Sequence, residues 1–317
     1  MMLRTFITSL TAVLALAAWP VHAAYPDRPI TLIVPFAPGG GADATGRAIA
    51  HYLEKRLKQP VVVINRGGAG GQIGFTATAK AKPDGYTIGI VTAPNLVVFP
   101  VQKPTQYKLS EFTLIANLVE DDGMFFVRKE SPFKSIAHVV SYAKANPGKV
   151  TVGTTGEGSL PHLAMLALEQ KAGIRLTAVH YSGAAPTRMA VLAGDLDMAY
   201  VTAVDGAGDL RAGLVRPLGV TARKRIESMP GNPTLLEQGY DVVTSASRGL
   251  AAPAGTPEDV LKLLRGVVAD AAKDPAFLDV AQKQGMPIRY MDHEAFAKDL
   301  LRQQQEYTLI WNERASK

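Results

Sequence analysis

Residues 35–43 read Pro-Phe-Ala-Pro-Gly-Gly-Gly-Ala-Asp, and they join a strand-like run, residues 30–34, to a helix-like run that begins near Asp43. Three consecutive glycines allow the backbone to turn tightly and to direct several N–H groups into one space. At a helix N-terminus, those unpaired donors and the positive end of the helix dipole favour an anion such as a carboxylate or a phosphate. The stretch therefore predicts an anion-binding turn between a strand and a helix.

The same design recurs along the chain, and the repetition predicts an α/β fold. Strand-like runs alternate with helical patterns, which indicates mainly parallel sheets with helices outside. Further loops rich in small residues follow strand-like runs at residues 92–95, 155–162 and 181–186. Ligands in open α/β sheets bind at the carboxyl ends of the strands, where all these loops fall.

The length of the chain and the order of these runs predict two lobes. A chain of 317 residues is large for one hydrophobic core. Two chain crossings, near residues 123–127 and 246–249, divide it into a discontinuous first lobe (residues 24–125 and 248–317) and a second lobe (residues 126–247). The expected shape is hinged, with the Gly-rich loops facing each other across a cleft.

The N-terminus has the three-part pattern of a signal peptide. Arg4 supplies the positive charge, residues 6–18 are largely apolar, and Val21-His22-Ala23 offers small residues for cleavage after Ala23. The apolar run is too short and too polar for a membrane span. The three-part pattern also fits a signal peptide better than it fits the N-terminal strand of a cytoplasmic protein. With no cysteine in the chain, the pattern predicts a periplasmic protein without disulfides or thiol chemistry.

Charge argues against nucleic acid as a partner. Lys and Arg number 34 and Asp and Glu 28, a formal charge of +6, but the cations are scattered rather than clustered. A mild positive field favours the approach of small anions.

A nucleotide cofactor is also disfavoured. Residues 39–44 match the dinucleotide-binding pattern G-x-G-x-x-(G/A) directly after a strand. That pattern needs an acidic residue about twenty positions later to bind the ribose, and this chain has Asn65-Arg66 there. The Lys-Ser/Thr pair of a phosphate-binding P-loop is absent as well, so no cofactor is predicted.

Candidates for catalysis are weak. Ser131-Pro132-Phe133-Lys134 matches the S-x-x-K of penicillin-binding enzymes, but no S-D-N or K-T-G follows. Ser159 lacks a nucleophile-elbow pattern, and Ser159 and Asp43 are better explained as helix caps. The histidines have no metal-ligand spacing, and Asp121-Asp122 is interpreted as a pair of solvated loop charges. The prediction is a binding site with no catalytic residues and no metal.

Several segments together resemble one family. They are the loop at 34–43, Asn65-Arg66-Gly67-Gly68-Ala69-Gly70-Gly71, Pro83-Asp84-Gly85-Tyr86-Thr87, residues 156–162, residues 181–186 and Pro253-Ala254-Gly255-Thr256-Pro257. In this order, from Tyr25 to the C-terminus, they resemble the Bug-type extracytoplasmic solute receptors of tripartite tricarboxylate transporters.

The resemblance implies a type II periplasmic-binding-protein fold, in which two Rossmann-like lobes joined by a hinge close on a small carboxylate. It further implies a monomer that delivers this ligand to membrane transporter subunits. Family receptors hold carboxylate oxygens through backbone amides, hydroxyls and ordered waters. Carried onto the matching loops of this chain, the ligand-binding residues are Phe36, Ala37, Gly39, Gly40, Gly41, Asp43, Thr92, Asn95, Thr154, Ser159, Ser182, Ala184 and Ala185.

Departures from the family pattern bear on specificity. Glu157 stands in a loop that is normally free of charge, where it would oppose an anion unless it is paired. Ser247-Arg248 stands where the family usually has an aromatic residue. Arg248 is therefore a possible bidentate contact for a distal ligand carboxylate, the alternative being a solvated residue at the hinge surface.

The functional prediction is a periplasmic receptor that works by hinge closure. Two alternatives stay open from the sequence. One is a periplasmic sensor that presents the same ligand to a signalling partner, and the other is an exported enzyme.

Overall fold

The computed structural model describes residues 25–226 and 229–314, so the predicted signal peptide and its cleavage site lie outside the described residues. The first lobe begins with a parallel sheet in the order β2-β1-β3. Its elements are β1 (Ile30–Val34), α1 (Gly41–Leu57), β2 (Val61–Asn65), α2 (Gln72–Ala79), β3 (Thr87–Ala93) and α3 (Asn95–Gln102). Ile30, Leu32 and Val34 of β1 are fully buried, because the central strand of a covered parallel sheet is enclosed on both faces.

One long strand, β4 (Phe112–Arg128), belongs to both lobes. Up to Asp122 it pairs with β9 (Ser245–Pro253), and β10 (Ile288–Asp292) pairs with the same half. From Gly123 onward it pairs instead with two strands of the second lobe, β7 (Met198–Thr202) and β8 (Val215–Val220). Asp121 and Asp122, which the sequence patterns assign to a loop, therefore lie within a continuous strand.

The second lobe repeats the strand-turn-helix design. Its elements are α4 (Ile136–Ala145), β5 (Thr151–Thr154), α5 (Leu160–Ala172), β6 (Thr177–His180), α6 (Ala184–Ala193), β7 (Met198–Thr202), α7 (Ala203–Arg211) and β8 (Val215–Val220). β5 lies between β6 and β7 and is parallel to both. The carboxyl ends of β5 and β7 therefore face the same edge as the loops that begin α5 and α7.

The C-terminal segment returns to the first lobe through β9 and three helices, α8 (Glu258–Ala271), α9 (Pro275–Lys283) and α10 (His293–Arg314). α8 has a strongly one-sided apolar face, and it buries Leu261, Leu264 and Val268 against α1 and the sheet. α10 contacts both lobes, through α3 of the first and α5 of the second. No helix within the described residues is both long and apolar enough to span a bilayer.

The strand pairing changes from one lobe to the other at two points. The first change falls between Asp122 and Gly123, and β9 enters the first sheet at Ser245. These two points are adjacent in space, since Asp122 and Ser245 are register partners. The division into two lobes that move as units stays a prediction.

Candidate functional site

A narrow cavity of about 60 Å³ lies between the two lobes. Helix starts surround it: Gly41 of α1, Asn95 of α3, Leu160 of α5 and Ala184 of α6 are the first residues of their helices, and all four line the cavity. The first amides of a helix have no partner within that helix, so the convergence concentrates hydrogen-bond donors and positive dipole ends on one small space.

The loops of the two lobes contact each other around this cavity. A Cβ added to Gly39 would lie 3.7 Å from the Cβ of Ala185, and one added to Gly40 would lie 3.6 Å from the Cβ of Ala184. At the rim, Lys103 of the first lobe pairs with Glu157 of the second at 3.8 Å. Glu157 thus has a cationic partner at the rim. Because Lys103 compensates its charge, Glu157 does not oppose the binding of an anion.

The N-terminus of α1 is held by Asp43, whose carboxylate bonds back to its own loop. It accepts hydrogen bonds from the Gly39 N–H at 3.0 Å, from Arg47 Nε at 2.9 Å and from Asn65 Nδ2 at 2.9 Å. Burial raises the pKa of Asp43, but these hydrogen bonds outweigh it and leave the pKa below its ordinary value. The helix begins at Gly41, before the expected start, and Asp43 fixes the shape of the turn.

Asn95 joins the lobes through its side-chain amide. Its Nδ2 donates to the Gly70 carbonyl at 2.8 Å, and its Oδ1 accepts the Leu160 N–H of the second lobe at 3.1 Å. The sequence predicted that the Ser159 side chain caps its helix. The Ser159 hydroxyl instead donates to the Gly156 carbonyl at 2.6 Å. The Thr154 hydroxyl pairs with Nδ1 of His180 at 2.5 Å.

Arg248 lies in the cavity wall, 3% exposed. Its Nη1 donates to Asp121 at 2.7 Å and its Nη2 donates to Thr202 at 2.8 Å. Burial lowers the pKa of Arg248, but Asp121 and Asp205 outweigh it and raise the pKa above its ordinary value. The alternative of a solvated surface arginine is therefore wrong, and a direct contact with ligand stays a proposal.

Asp121 is fully buried, so the interpretation of Asp121-Asp122 as solvated loop charges is wrong. Consecutive strand residues point to opposite faces. Asp121 bonds to Arg248, and Asp122 lines a separate groove of about 1270 Å³ that Asp121 also borders and that α9, α10 and the second lobe bound. Burial and the neighbouring Asp121 raise the pKa of Asp122 to about 6.

Asp205, in the first turn of α7, was not singled out from the sequence. Its carboxylate accepts the Gly41 N–H from the opposite lobe and the Thr202 hydroxyl at 2.9 Å, and it lies 3.8 Å from Arg248. Thr202-x-x-Asp205 has the spacing of a helix-capping pattern, which was the available signal for this turn. Nothing local in the sequence indicates that the carboxylate faces the other lobe.

Gly41 is required for a close approach. A Cβ at this position would lie 2.6 Å from Nη2 of Arg248 and 3.1 Å from Oδ1 of Asp205. Any side chain at Gly41 would therefore displace the guanidinium or keep the lobes apart.

The structure brings together about half of the predicted ligand-binding residues. Phe36, Gly40, Gly41, Thr92, Asn95, Ala184 and Arg248 line the cavity. The other seven do not line it and lie in the adjoining loops or at the ends of the flanking strands and helices: Ala37, Gly39, Asp43, Thr154, Ser159, Ser182 and Ala185. Within the part of the chain that the structure describes, no cluster of three His, Cys, Asp or Glu side chains is arranged to hold a metal ion.

Comparison with known proteins identifies the family. Residues 45–313 match the model of the tripartite tricarboxylate transporter family receptor. Protein BugT of Bordetella pertussis is 34% identical over 275 residues, which cover 84% of each chain.

Two solved structures have the same fold and contain carboxylates. MatC from Rhodopseudomonas palustris with bound malate is 28% identical, with a TM-score of 0.85 over 90% of this chain and 99% of that one. A second R. palustris protein with adipate is 29% identical, with a TM-score of 0.83 over 92% and 97% of the two chains. The predicted periplasmic-binding fold is confirmed, and the chain is a solute-binding protein rather than an enzyme. It belongs to the receptor family of the tripartite tricarboxylate transporters.

Proposed function

We propose that this chain is a periplasmic receptor that closes its two lobes on a small carboxylate and delivers it to the membrane subunits of a tripartite transporter. The convergence of four helix starts on one narrow cavity carries the proposal. The Gly41 and Leu160 amides already donate to Asp205 and Asn95, so a ligand carboxylate would bond to the remaining helix-start amides. Together with the positive dipole ends, such donors stabilise a carboxylate without a metal or a cofactor. The malate and adipate held by the two similar R. palustris proteins support the same ligand class.

Hinge closure follows from how the loops are distributed between the lobes. The loops at residues 36–43 and 92–95 belong to the first lobe, and those at 154–159 and 182–186 belong to the second. A ligand that bonds to both sets binds the closed form more tightly than the open form, and this difference in affinity shifts the population towards closure. The loop residues named from the family resemblance are the proposed contacts.

Family membership supports the periplasm as the location. Cleavage after Ala23 rests on the signal-peptide pattern of the sequence, and a monomeric mature chain is part of the proposal. In that compartment the receptor binds solute that has crossed the outer membrane. Its proposed partner is the transporter in the inner membrane, which would accept the ligand from the receptor.

A thermal-shift screen of the chain lacking residues 1–23 tests ligand binding. A carboxylate present at about 100 times its dissociation constant adds about 2.7 kcal/mol to the free energy of unfolding, and calorimetry then gives one site per chain. A broad carboxylate panel that leaves the melting temperature unchanged, or turnover of any panel member, contradicts the proposal.

Delivery is tested separately in cells. Removing the receptor should abolish uptake of the carboxylate found in the screen, and the wild-type chain should restore it. Normal uptake without the receptor would leave ligand binding standing but would refute delivery.

A further inference from the structure

We propose that Asp205 is a specificity-determining residue that selects a ligand carrying an ammonium group beside its carboxylate, as in an amino acid, over a simple dicarboxylate. The inference rests on the proposed function, because it takes for granted that a carboxylate occupies the cavity between the lobes. It adds the chemistry of the ligand's second polar group.

The first observation is the charge of the cavity wall. Among the described residues that line the cavity, Arg248 carries the positive charge and Asp205 the negative one. Arg248 also has a buried partner behind the wall, since Asp121 accepts from its Nη1 at 2.7 Å. The positive charge of Arg248 is thus compensated by two carboxylates, and the wall offers no net cation to a second ligand carboxylate.

The second observation is that Asp205 occupies an anion position of its own. Its carboxylate accepts the Gly41 N–H at the start of α1, which is where a ligand carboxylate would otherwise bind. An ionised carboxylate has about four acceptor positions, and the Gly41 amide and the Thr202 hydroxyl use two of them. Free acceptor capacity on Asp205 is complementary to an N–H donor and repels a second anion.

The third observation is an unpartnered hydroxyl beside this pair. Thr92 is 6% exposed, lines the cavity, and its Oγ1 has no hydrogen-bond partner among the described residues. Thr92 and Arg248 are register partners on β3 and β9, so their side chains project from the same face of the sheet. A buried hydroxyl without a partner is costly, and a ligand polar group satisfies it.

These observations assign the two ends of the ligand. The carboxylate faces the free helix-start amides of the second lobe near Ala184, and the ammonium lies between Asp205 and the Thr92 hydroxyl. Arg248 is then a positioning residue, because it orients Asp205 and Thr202 through its Nη2. A cavity of about 60 Å³ also favours a compact ligand.

Calorimetry with matched ligand pairs tests this assignment. Alanine and propionate differ by one ammonium group, as do aspartate and succinate. The wild-type chain should bind the amino member of at least one pair tenfold or more tightly than its deaminated partner. Asp205→Asn should reduce that ratio at least fivefold, whereas Asp195→Asn, at an exposed position of the same lobe, should leave it unchanged.

Each outcome separates the two proposals. Tighter binding of propionate or succinate by the wild-type chain overturns the role of Asp205 and leaves the carboxylate receptor standing. An unchanged ratio of amino-ligand to deaminated-ligand affinity in Asp205→Asn also overturns the role of Asp205 and leaves the carboxylate receptor standing. Absence of binding by all four probes and by the wider carboxylate panel overturns both. If Asp205→Asn does not fold, the wild-type ratios decide, together with Thr92→Val, which should weaken the amino members more than the deaminated ones.

Discussion

Replacing Arg248 by Met should cost far more stability than an ordinary surface arginine replacement. The guanidinium is 4% exposed and its partner Asp121 is fully buried, so Arg248→Met leaves an unpaired carboxylate inside the protein. Breaking a buried pair on one side costs about 3–5 kcal/mol. Asp121 also accepts the Val204 N–H at 3.3 Å, so the damage extends to the start of α7.

The pH dependence of the free energy of unfolding provides a second test of the same prediction. Burial already raises the pKa of Asp121, and without Arg248 its folded-state pKa rises further. A folded pKa above the unfolded value means that stability is lost as the pH rises through it. The deficit of Arg248→Met should therefore be largest at pH 8 and shrink as the pH falls towards the unfolded pKa of about 4.

Urea unfolding followed by circular dichroism measures this effect. Arg302→Met is the matched control, since Arg302 is half exposed and its ion pairs contribute less than about 1 kcal/mol. The double variant Asp121→Asn/Arg248→Met should recover about half of the loss, because the amide is neutral. A deficit for Arg248→Met below about 1 kcal/mol at every pH would refute the reasoning.

Three further changes probe the cleft and the hinge. Gly41→Ala should weaken ligand binding at least tenfold by calorimetry, since its Cβ would lie 2.6 Å from Arg248; Gly208→Ala, with nothing within 4 Å of the added Cβ, should bind as the wild type does. Asn95→Ala should weaken binding by about 1–3 kcal/mol, because it leaves the Gly70 carbonyl and the Leu160 amide without their shared partner; unchanged affinity would remove this bridge from the mechanism. Asp122→Asn should stabilise the protein at pH 8 by at most about 3 kcal/mol, because the pKa of about 6 is above the unfolded value and ionisation is penalised as the pH rises; the gain in urea midpoint should vanish near pH 4, and a gain independent of pH would contradict it.

Local patterns in the sequence predicted the parts of the fold that depend on neighbouring residues. In the turn at residues 35–43, the glycines and Asp43 lie within five consecutive residues, and Asp43 accepts the Gly39 N–H. The shape of this turn depends on neighbouring residues and can be predicted from the sequence. The alternation of strands and helices was likewise predicted from local patterns of apolar residues. Boundaries were less accurate where a buried charge interrupts an apolar run, as at Asp121 within β4.

The polar wall of the cavity was less accessible to such reasoning. Arg248, Asp121 and Asp205 come from three separate strands or helices, and 127 positions separate Arg248 from Asp121. An acidic residue followed by a second acid and a glycine is typical of a solvated turn, and it is the burial of Asp121 against Arg248 that contradicts this interpretation. The signal that indicates Arg248 is its departure from the resembled family, which usually has an aromatic residue at this position.

The strand shared by the lobes also limits how the receptor moves. β4 crosses from one sheet to the other at Gly123, directly beside the point where β9 begins, so both crossings lie on one narrow axis. α10 adds a third link away from that axis: Gln304 donates to the Val97 carbonyl of α3 at 2.9 Å, and Trp311 packs edge-on against His162 of α5. We therefore predict that the lobes rotate about this one axis and that the contacts of α10 with both lobes limit the rotation. Shortening α10 should then widen the opening, seen as a larger radius of gyration of the ligand-free protein, without moving its axis.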